Sequence, residues 1–195
     1  MAKLYFITHP EVQIDPAVPV ANWTLAPRGR QRMLRMLDRP WVRGLGAIWC
    51  STERKAVDAA QILGDATGIG PRMLPGLGEN DRSATGYIPK AEFEATADAF
   101  FAHPQSSVRG WETAVDAQRR IATAIETVVQ RTSAGRDIAV ISHGAVGALY
   151  LCRLKACPIS RLEDQPGTGG GNFYCFDTTN QTLQHGWMPI DPENG

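Results

Sequence analysis

The chain has 195 residues, a length typical of one compact domain. Its 20 Lys and Arg residues balance its 20 Asp and Glu residues, and its 43% of hydrophobic residues is a globular proportion. These values exclude extended disorder, and they exclude a nucleic-acid binder whose affinity rests on a broad basic surface. We therefore expect a single domain over residues 1–195 that binds no nucleic acid.

Neither the apolar segments nor the cysteines indicate a membrane or secreted protein. No stretch approaches the roughly 18 apolar residues that a spanning helix needs. The first apolar run, Leu4–Ile7, is far shorter than the core of a signal peptide. The four cysteines form no CxxC pair. We expect them to be reduced, mostly buried thiols in a cytoplasmic protein that contacts no membrane.

Short apolar strands alternate with longer helical patterns along the chain. In chain order the sequence predicts a strand at 3–7, a helix at 27–37, a strand at 47–50, a helix capped by Ser51 or Thr52 and running to 66, a short strand at 72–74, helices at 90–102 and 111–131, a strand at 138–141, a helix at 144–154 and a strand at 172–177. This alternation indicates an α/β fold, a three-layer α/β/α sandwich with a mostly parallel central sheet.

Two of the four histidines directly follow ends of predicted strands. His9 comes after the first strand, and His143 comes after the strand at 138–141. Because ligands bind beyond the carboxyl ends of strands in open parallel sheets, we expect both imidazoles at one edge. His143 also precedes the helix that opens with Gly144, where free N–H groups and the helix dipole favour an anion. The pattern indicates an oxyanion site at this edge.

Two cations and two acids lie near the same edge. Arg54 and Lys55 occupy the first turn of the helix that follows the second strand, and they would contribute positive charge to an oxyanion pocket. Glu79, in a Leu-Gly-Glu loop, and Glu112, in Gly-Trp-Glu, are candidate proton donors. Each also has an ordinary interpretation: a solvated surface charge or, for Glu112, a residue that favours a helix N-terminus.

Five motifs occur in a fixed order along the chain. They are Thr8-His9-Pro10, the segment Cys50–Ala60, the loop Leu77–Glu79, the segment Gly110–Thr113 and the strand with Ser-His-Gly at Ile138–Gly144. This order resembles the histidine phosphatase superfamily, also called the phosphoglycerate mutase-like family, whose first motif reads Arg-His-Gly. The resemblance covers about residues 3 to 177, and Ser-His-Gly is its sharpest match.

The resemblance implies a phosphoglycerate mutase-like fold and a phosphomonoesterase without a metal or organic cofactor. His9 would attack the phosphoryl group and become a phosphohistidine, His143 would steady the phosphoryl oxygens, and Glu79 would protonate the leaving oxygen. The expected partner is a small phosphorylated substrate or a phosphate ion. The candidate phosphate-binding residues are Thr8, Arg54, Lys55, Glu112, Arg82 and Gly144.

Two positions depart most strongly from the family pattern, and Pro10 in place of its glycine is a third, milder change. Thr8 stands where the family has an arginine, and it offers only a neutral hydroxyl. Lys55 falls where the second family arginine aligns, although a shift of one residue would give that role to Arg54. Lysine binds phosphate as a point charge and lacks the bidentate fork. We therefore expect slow turnover, with Arg82 or Arg109 as the replacement cation.

Other functions remain open from the sequence alone. Thr8 favours a non-catalytic relative that binds a phosphorylated ligand or a protein partner. Gly167–Gly171 suggests a nucleotide-binding module, but these glycines precede a strand, whereas phosphate-binding glycine loops follow one. We expect residues 11–27 and 80–110 to set the substrate. The oligomeric state stays open, with a dimer as one alternative.

Overall fold

The computed structural model describes residues 2–167 and 169–191, which contain six strands and five α-helices. The strands are β1 (Lys3–Thr8), β2 (Leu45–Cys50), β3 (Arg72–Met73), β4 (Asp137–Ser142), β5 (Asn172–Asp177) and β6 (Leu183–Pro189). The helices are α1 (Pro27–Met36), α2 (Arg54–Thr67), α3 (Lys90–Ala102), α4 (Ala114–Gln130) and α5 (Gly144–Leu154).

The six strands form one mixed sheet in the order β3-β2-β4-β1-β5-β6. The first four strands in this order are parallel, while β5 is antiparallel to both β1 and β6. The register pairs Thr8 of β1 with Ser142 of β4. The residues that follow, His9 and His143, therefore leave the sheet side by side at its carboxyl edge.

Both faces of the sheet are buried, which explains the continuous apolar runs of its central strands. Leu4 and Phe6 of β1 pack with α4 and α5 on one face. Tyr5 and Ile7 pack with α1 and α2 on the other face. The expected three-layer α/β/α architecture with a mostly parallel sheet is confirmed.

The structure differs from the sequence prediction at two helix starts and one strand. Helix α2 has Glu53 at its N-cap position, so the expected cap at Ser51 or Thr52 was wrong; Ser51 Oγ instead accepts the N–H of Glu53. Helix α4 begins after Thr113, whose side chain caps it by accepting the N–H of Asp116. Strand β6 was not predicted, because it is a half-exposed edge strand without clear alternation.

Two further expectations concerned the state of the cysteines and helices that could span a membrane. Cys50, Cys152, Cys157 and Cys175 are all free thiols, and all but Cys157 are buried. Burial raises the pKa of the Cys50 thiol to about 11, which makes it unreactive. Among the described residues, no helix is long and apolar enough to cross a bilayer.

Candidate active site

His9 and His143 meet at the carboxyl edge of the sheet. The backbone N–H of His9 donates to Ser142 O at 3.1 Å, which continues the β1–β4 ladder into the site. The two ring centroids lie 5.1 Å apart, with the ring planes 72° apart. The strand register thus brings together the two imidazoles that the sequence predicted at this edge.

The hydrogen bond at Nδ1 defines the protonation of His9. Its Nδ1 lies 2.9 Å from Pro10 O, and a carbonyl oxygen only accepts, so Nδ1 carries the proton and Nε2 carries the lone pair. Burial, and then the nearby charge of Lys55, lower the pKa of His9 to about 4. The ring is therefore neutral at neutral pH, with a nucleophilic nitrogen at Nε2.

His143 is buried without hydrogen-bond partners. Its side chain is 1% exposed, and neither ring nitrogen makes a hydrogen bond among the described residues. Nε2 lies 3.3 Å from Glu53 Oε1, but the alignment is too poor for a hydrogen bond. Burial lowers the pKa of His143 well below its usual value, although Glu53 opposes that shift. A buried polar group without a partner indicates a position that a ligand fills.

Glu53 connects His143 to Lys55. Its Oε2 forms an ion pair with the buried Lys55 ammonium, which also donates to Val20 O at 2.9 Å. Its Oε1 accepts the N–H of Glu79 at 3.0 Å. Burial alone would raise the pKa of Glu53, but His143, Lys55 and the bonded N–H outweigh it and lower the pKa to about 2. The positive charge nearest the histidines is therefore already balanced by a carboxylate.

Arg54 does not reach the histidines. Its Nε donates to Asp58 Oδ1 at 2.8 Å, four residues along α2, and its side chain is 60% exposed. Lys55 is 3% exposed and its charge lies near His9. Of the two adjacent cations that the sequence offered, Lys55 is therefore the one in the site.

The Glu79 carboxylate caps the N-terminus of α5. It accepts the N–H groups of Ala145 at 3.3 Å and Val146 at 3.2 Å, and also that of Asn80 at 3.1 Å. Burial raises the pKa of Glu79, which favours the protonated acid, and Arg82 partly offsets this. The helix end at which we expected an anion thus holds Glu79, while the N–H of Gly144 makes no hydrogen bond to any residue that the structure describes.

Arg82 and Arg109 have different surroundings. The Arg82 guanidinium lies over the rings of Phe93 and Trp111, at 5.0 and 5.7 Å from their centroids, and it forms no ion pair within the described residues. Arg109 forms an ion pair with Glu92 of α3. The charge of Arg82 lowers the pKa of both histidines, although burial is the larger cause. Arg82 also lines the same cleft as Glu53 and Glu79, which Arg109 does not, so Arg82 is the loop cation at the site.

Glu112 belongs to the support of the Glu79 loop. Its carboxylate accepts from Arg120 Nε at 3.0 Å and Nη2 at 2.7 Å. The same guanidinium donates to the carbonyl oxygens of Gly76, Gly78 and Glu79 at 2.9 to 3.0 Å. Glu112 is thus engaged by Arg120 and does not point at the histidines.

Thr8 is buried beneath the histidines. Its hydroxyl donates to Gln165 Oε1 at 2.7 Å and accepts the N–H of Asn172 at 3.0 Å. Next to it, a Cβ on Gly170 would lie 2.2 Å from His9 O, so this glycine lets the backbone pass close to the site. Residue 168 of the glycine-rich run lies outside the described residues.

A cleft of about 680 Å³ opens beside the carboxylates of Glu53 and Glu79. Residues 16–21 form one wall, and Glu79 to Ser83 with Gly86 and Tyr87 form the other; Glu53 also lines it. Most of these wall residues fall in the segments 11–27 and 80–110. Among the described residues, no group of three or more His, Cys, Asp or Glu side chains is arranged to hold a metal ion.

The sequence of the chain matches a family model over nearly its whole length. The model describes the histidine phosphatase superfamily (branch 1) and matches residues 4–183. The chain belongs to the histidine phosphatase superfamily. No curated protein sequence matches it significantly. The resemblance that the motifs indicated is therefore confirmed.

Solved structures show the same fold. The native structure of a mycobacterial glucosyl-3-phosphoglycerate phosphatase has a TM-score of 0.76 at 19% identity, covering 96% of each chain. Bacillus stearothermophilus YhfR has a TM-score of 0.76 at 21% identity, covering 95% of each chain. Phosphoserine phosphatase from Entamoeba histolytica, in complex with 3-phosphoglyceric acid, has a TM-score of 0.74 at 16% identity, covering 95% of this chain and 96% of the other. The mycobacterial phosphatase is also matched in complexes with inorganic phosphate and with VO3.

Within this histidine phosphatase fold, the structure brings together His9, His143, Glu79, Lys55, Arg82 and Gly144. It turns Arg54, Glu112 and the Thr8 hydroxyl toward other partners. Sequence reasoning missed Glu53, although its position two residues before Lys55 was a signal. It also missed Gln165 and Asn172, which lie far from the motifs in sequence.

Proposed function

We propose that the protein is a phosphomonoesterase that transfers a phosphoryl group from a small substrate to His9 and then to water. The observation that carries the proposal is the state of His9, a neutral imidazole with a lone pair at Nε2, whose ring centroid lies 5.1 Å from that of His143. Membership of the histidine phosphatase superfamily supports the same chemistry.

In the first step, His9 Nε2 attacks phosphorus and the bond from phosphorus to the leaving oxygen breaks. The leaving oxygen takes the proton of Glu79, whose raised pKa favours the acid form. The ring keeps its Nδ1 proton and gains positive charge, which the bond to Pro10 O stabilises. The product is a phosphohistidine, a covalent intermediate that divides the reaction into two easier steps.

In the second step, a water molecule attacks the phosphohistidine. The Glu79 carboxylate takes one proton of that water, and the bond from phosphorus to His9 Nε2 breaks. The electron pair of this bond returns to the imidazole, so His9 is again neutral and phosphate leaves. Glu79 thereby regains the proton that it gave up in the first step.

The positive charge available to the phosphoryl oxygens is limited. Lys55 is balanced by Glu53, while Arg82 makes no ion pair among the described residues. Phosphoryl transfer depends mainly on positioning and on neutralisation of charge. We therefore expect slow turnover, with Arg82 and His143 as the principal stabilising groups.

The cleft beside Glu79 supports a small phosphorylated substrate. Its volume of about 680 Å³ accommodates a leaving group of metabolite size. Residues 16–21 place apolar side chains along one wall, opposite Arg82 and Tyr87. This arrangement favours a leaving group with an apolar face.

The second candidate is a non-catalytic member that binds a phosphorylated ligand or a protein partner. The pairing of Lys55 with Glu53 argues against turnover, because it leaves less positive charge to stabilise the transition state. This candidate predicts phosphate binding without turnover. The phosphatase proposal predicts phosphate binding together with turnover.

Turnover of p-nitrophenyl phosphate distinguishes the two candidates. We expect slow but measurable hydrolysis by the wild type and none by His9→Ala, between about pH 4 and 8. His103→Ala is the matched control, since His103 is exposed and lies outside the site. Equal turnover by His9→Ala and the wild type would contradict the phosphohistidine mechanism, and phosphate binding without turnover would support the binding protein.

A further inference from the structure

Gln165 packs against the first residue of α5. A Cβ on Gly144 would lie 2.4 Å from Gln165 Nε2, so the amide nitrogen sits directly beside the Gly144 backbone. Gly144 follows His143 in the chain, and Gln165 is only partly buried. The side-chain amide therefore lies against the residue that follows His143, whose buried ring nitrogens have no hydrogen-bond partner in the described part of the chain.

The orientation of the Gln165 amide follows from its neighbours. Asn172 Nδ2 lies 3.1 Å from Pro166 O and 3.4 Å from Gly170 O, and these carbonyls require a donor there. The same nitrogen lies 3.1 Å from Gln165 Oε1, and the Thr8 hydroxyl also donates to this atom. Two donors thus require an oxygen at this position, which places the NH₂ group of Gln165 on the side of Gly144.

Three donors near this point have no acceptor in the part of the chain that the structure describes. Within the described residues, neither Gln165 Nε2 nor the backbone N–H of Gly144 makes a hydrogen bond. The ring nitrogens of His143 are likewise without a hydrogen bond. These donors belong to two consecutive residues and to the side chain that lies against the second of them, a set that suits an anion with several acceptor oxygens, such as a phosphoryl group.

We infer that Gln165 Nε2 donates to a phosphoryl oxygen, as a neutral replacement for the arginine expected at position 8. Thr8 and Asn172 are then positioning residues that fix the amide by holding its oxygen. Gly144 is required as glycine because the Gln165 amide occupies the space of a side chain. This inference rests on the proposed function and names an additional ligand of the same site.

A neutral amide interacts with a phosphoryl oxygen differently from an arginine. An arginine would supply a full charge and a bidentate fork, whereas the amide supplies a directed hydrogen bond without charge. The position of Thr8 therefore contributes to the site through Gln165, although its own hydroxyl does not point into it.

Three variants of the full chain test the inference. Gln165→Glu keeps an oxygen for Thr8 and Asn172 but loses the NH₂ group, and Gln165→Leu loses both without adding charge. Gln184→Leu is the matched control, because Gln184 is exposed on β6. The measurements are inhibition by inorganic phosphate and vanadate, kcat and KM for p-nitrophenyl phosphate, and unfolding in urea.

We expect both Gln165 variants to bind phosphate about tenfold or more weakly, while Gln184→Leu binds it as the wild type does. Gln165→Glu should unfold at nearly the wild-type urea concentration, so that its loss of affinity is not a loss of folding. Wild-type affinity in both Gln165 variants, beside normal wild-type turnover, would overturn this inference alone. A wild type without phosphate binding or turnover would overturn the proposed function as well.

Discussion

The Glu53 carboxylate lies 3.3 Å from Nε2 of His143 and is the ion-pair partner of Lys55. A buried negative charge therefore stands beside the position proposed for the phosphoryl group. In the free protein this charge balances Lys55, which is 3% exposed. When phosphate binds, Lys55 and His143 gain a second anionic neighbour, and Glu53 then opposes the ligand.

Replacing Glu53 with a neutral residue should make the stability of the fold depend more strongly on bound phosphate. Glu53→Gln leaves the buried Lys55 ammonium without its carboxylate, so we expect the free energy of unfolding to fall by about 1 to 3 kcal/mol. Added phosphate should then raise the melting temperature of this variant more than that of the wild type, because phosphate supplies the missing charge. Thermal melts with and without phosphate measure this, with the half-exposed Glu126→Gln as control. Equal phosphate shifts in wild type and Glu53→Gln would contradict the placement of Lys55 at the ligand.

Arg82 and Arg109 should differ sharply in their effect on catalysis. Arg82 faces the site without an ion pair among the described residues, whereas Arg109 is paired with Glu92. We expect Arg82→Gln to lower kcat/KM about a hundredfold, as for loss of one transition-state donor. Arg109→Gln is the matched control and should stay within a few-fold of the wild type. Similar kinetics for the two variants would remove Arg82 from the mechanism.

The Arg120 clamp, the set of hydrogen bonds from the Arg120 guanidinium to Glu112 and to three loop carbonyls, should stabilise the loop that carries Glu79. Arg120→Met leaves Glu112 unpaired and three loop carbonyls without their donor. We expect the free energy of unfolding to fall by about 2 to 4 kcal/mol, with kcat falling as well. Arg119→Met is the control on the same helix, because its side chain is 71% exposed. Urea unfolding measures the difference, and equal losses in both variants would argue against the clamp.

The pH profile should have two limbs with opposite causes. Burial and Lys55 lower the pKa of His9 to about 4, so kcat/KM should fall as the pH drops through that value and the nucleophile is protonated. Burial raises the pKa of Glu79 above its usual 4.5, so kcat/KM should also fall as the pH rises through that raised pKa and the acid loses its proton.

Glu79→Gln tests the alkaline limb directly. We expect it to abolish that limb and to lower kcat about a hundredfold for an alkyl phosphate, whose leaving oxygen needs a proton. The loss should be smaller for p-nitrophenyl phosphate, because nitrophenolate leaves readily without a proton. An unchanged alkaline limb in Glu79→Gln would assign the limb to another group.

The main parts of the fold were predictable because its central strands are buried on both faces. The apolar runs of β1 and β4 identify parallel central strands, and their ends therefore placed His9 and His143 at one edge. Strand β6 was not predictable from its own residues, because an edge strand depends on pairing with β5 more than on its pattern.

The sequence alone could not decide whether Arg54 or Lys55 lies in the site. Successive helical residues point about 100° apart, so a shift of one residue in the start of α2 exchanges the side chain that faces the site. The helix begins after Glu53, and this start directs Lys55 inward and Arg54 toward Asp58. The role of Gln165 was equally unpredictable, because only the folded chain brings it beside Gly144, which lies 21 positions earlier in the sequence.

Trapping of the phosphorylated protein tests the central claim most directly. Wild type and His9→Ala are mixed with p-nitrophenyl phosphate, quenched in alkali, digested and analysed by mass spectrometry. The mechanism predicts one added phosphoryl group on the wild-type peptide that contains His9, and none on the variant. A phosphoryl group on another residue, or hydrolysis by His9→Ala at the wild-type rate, would contradict it.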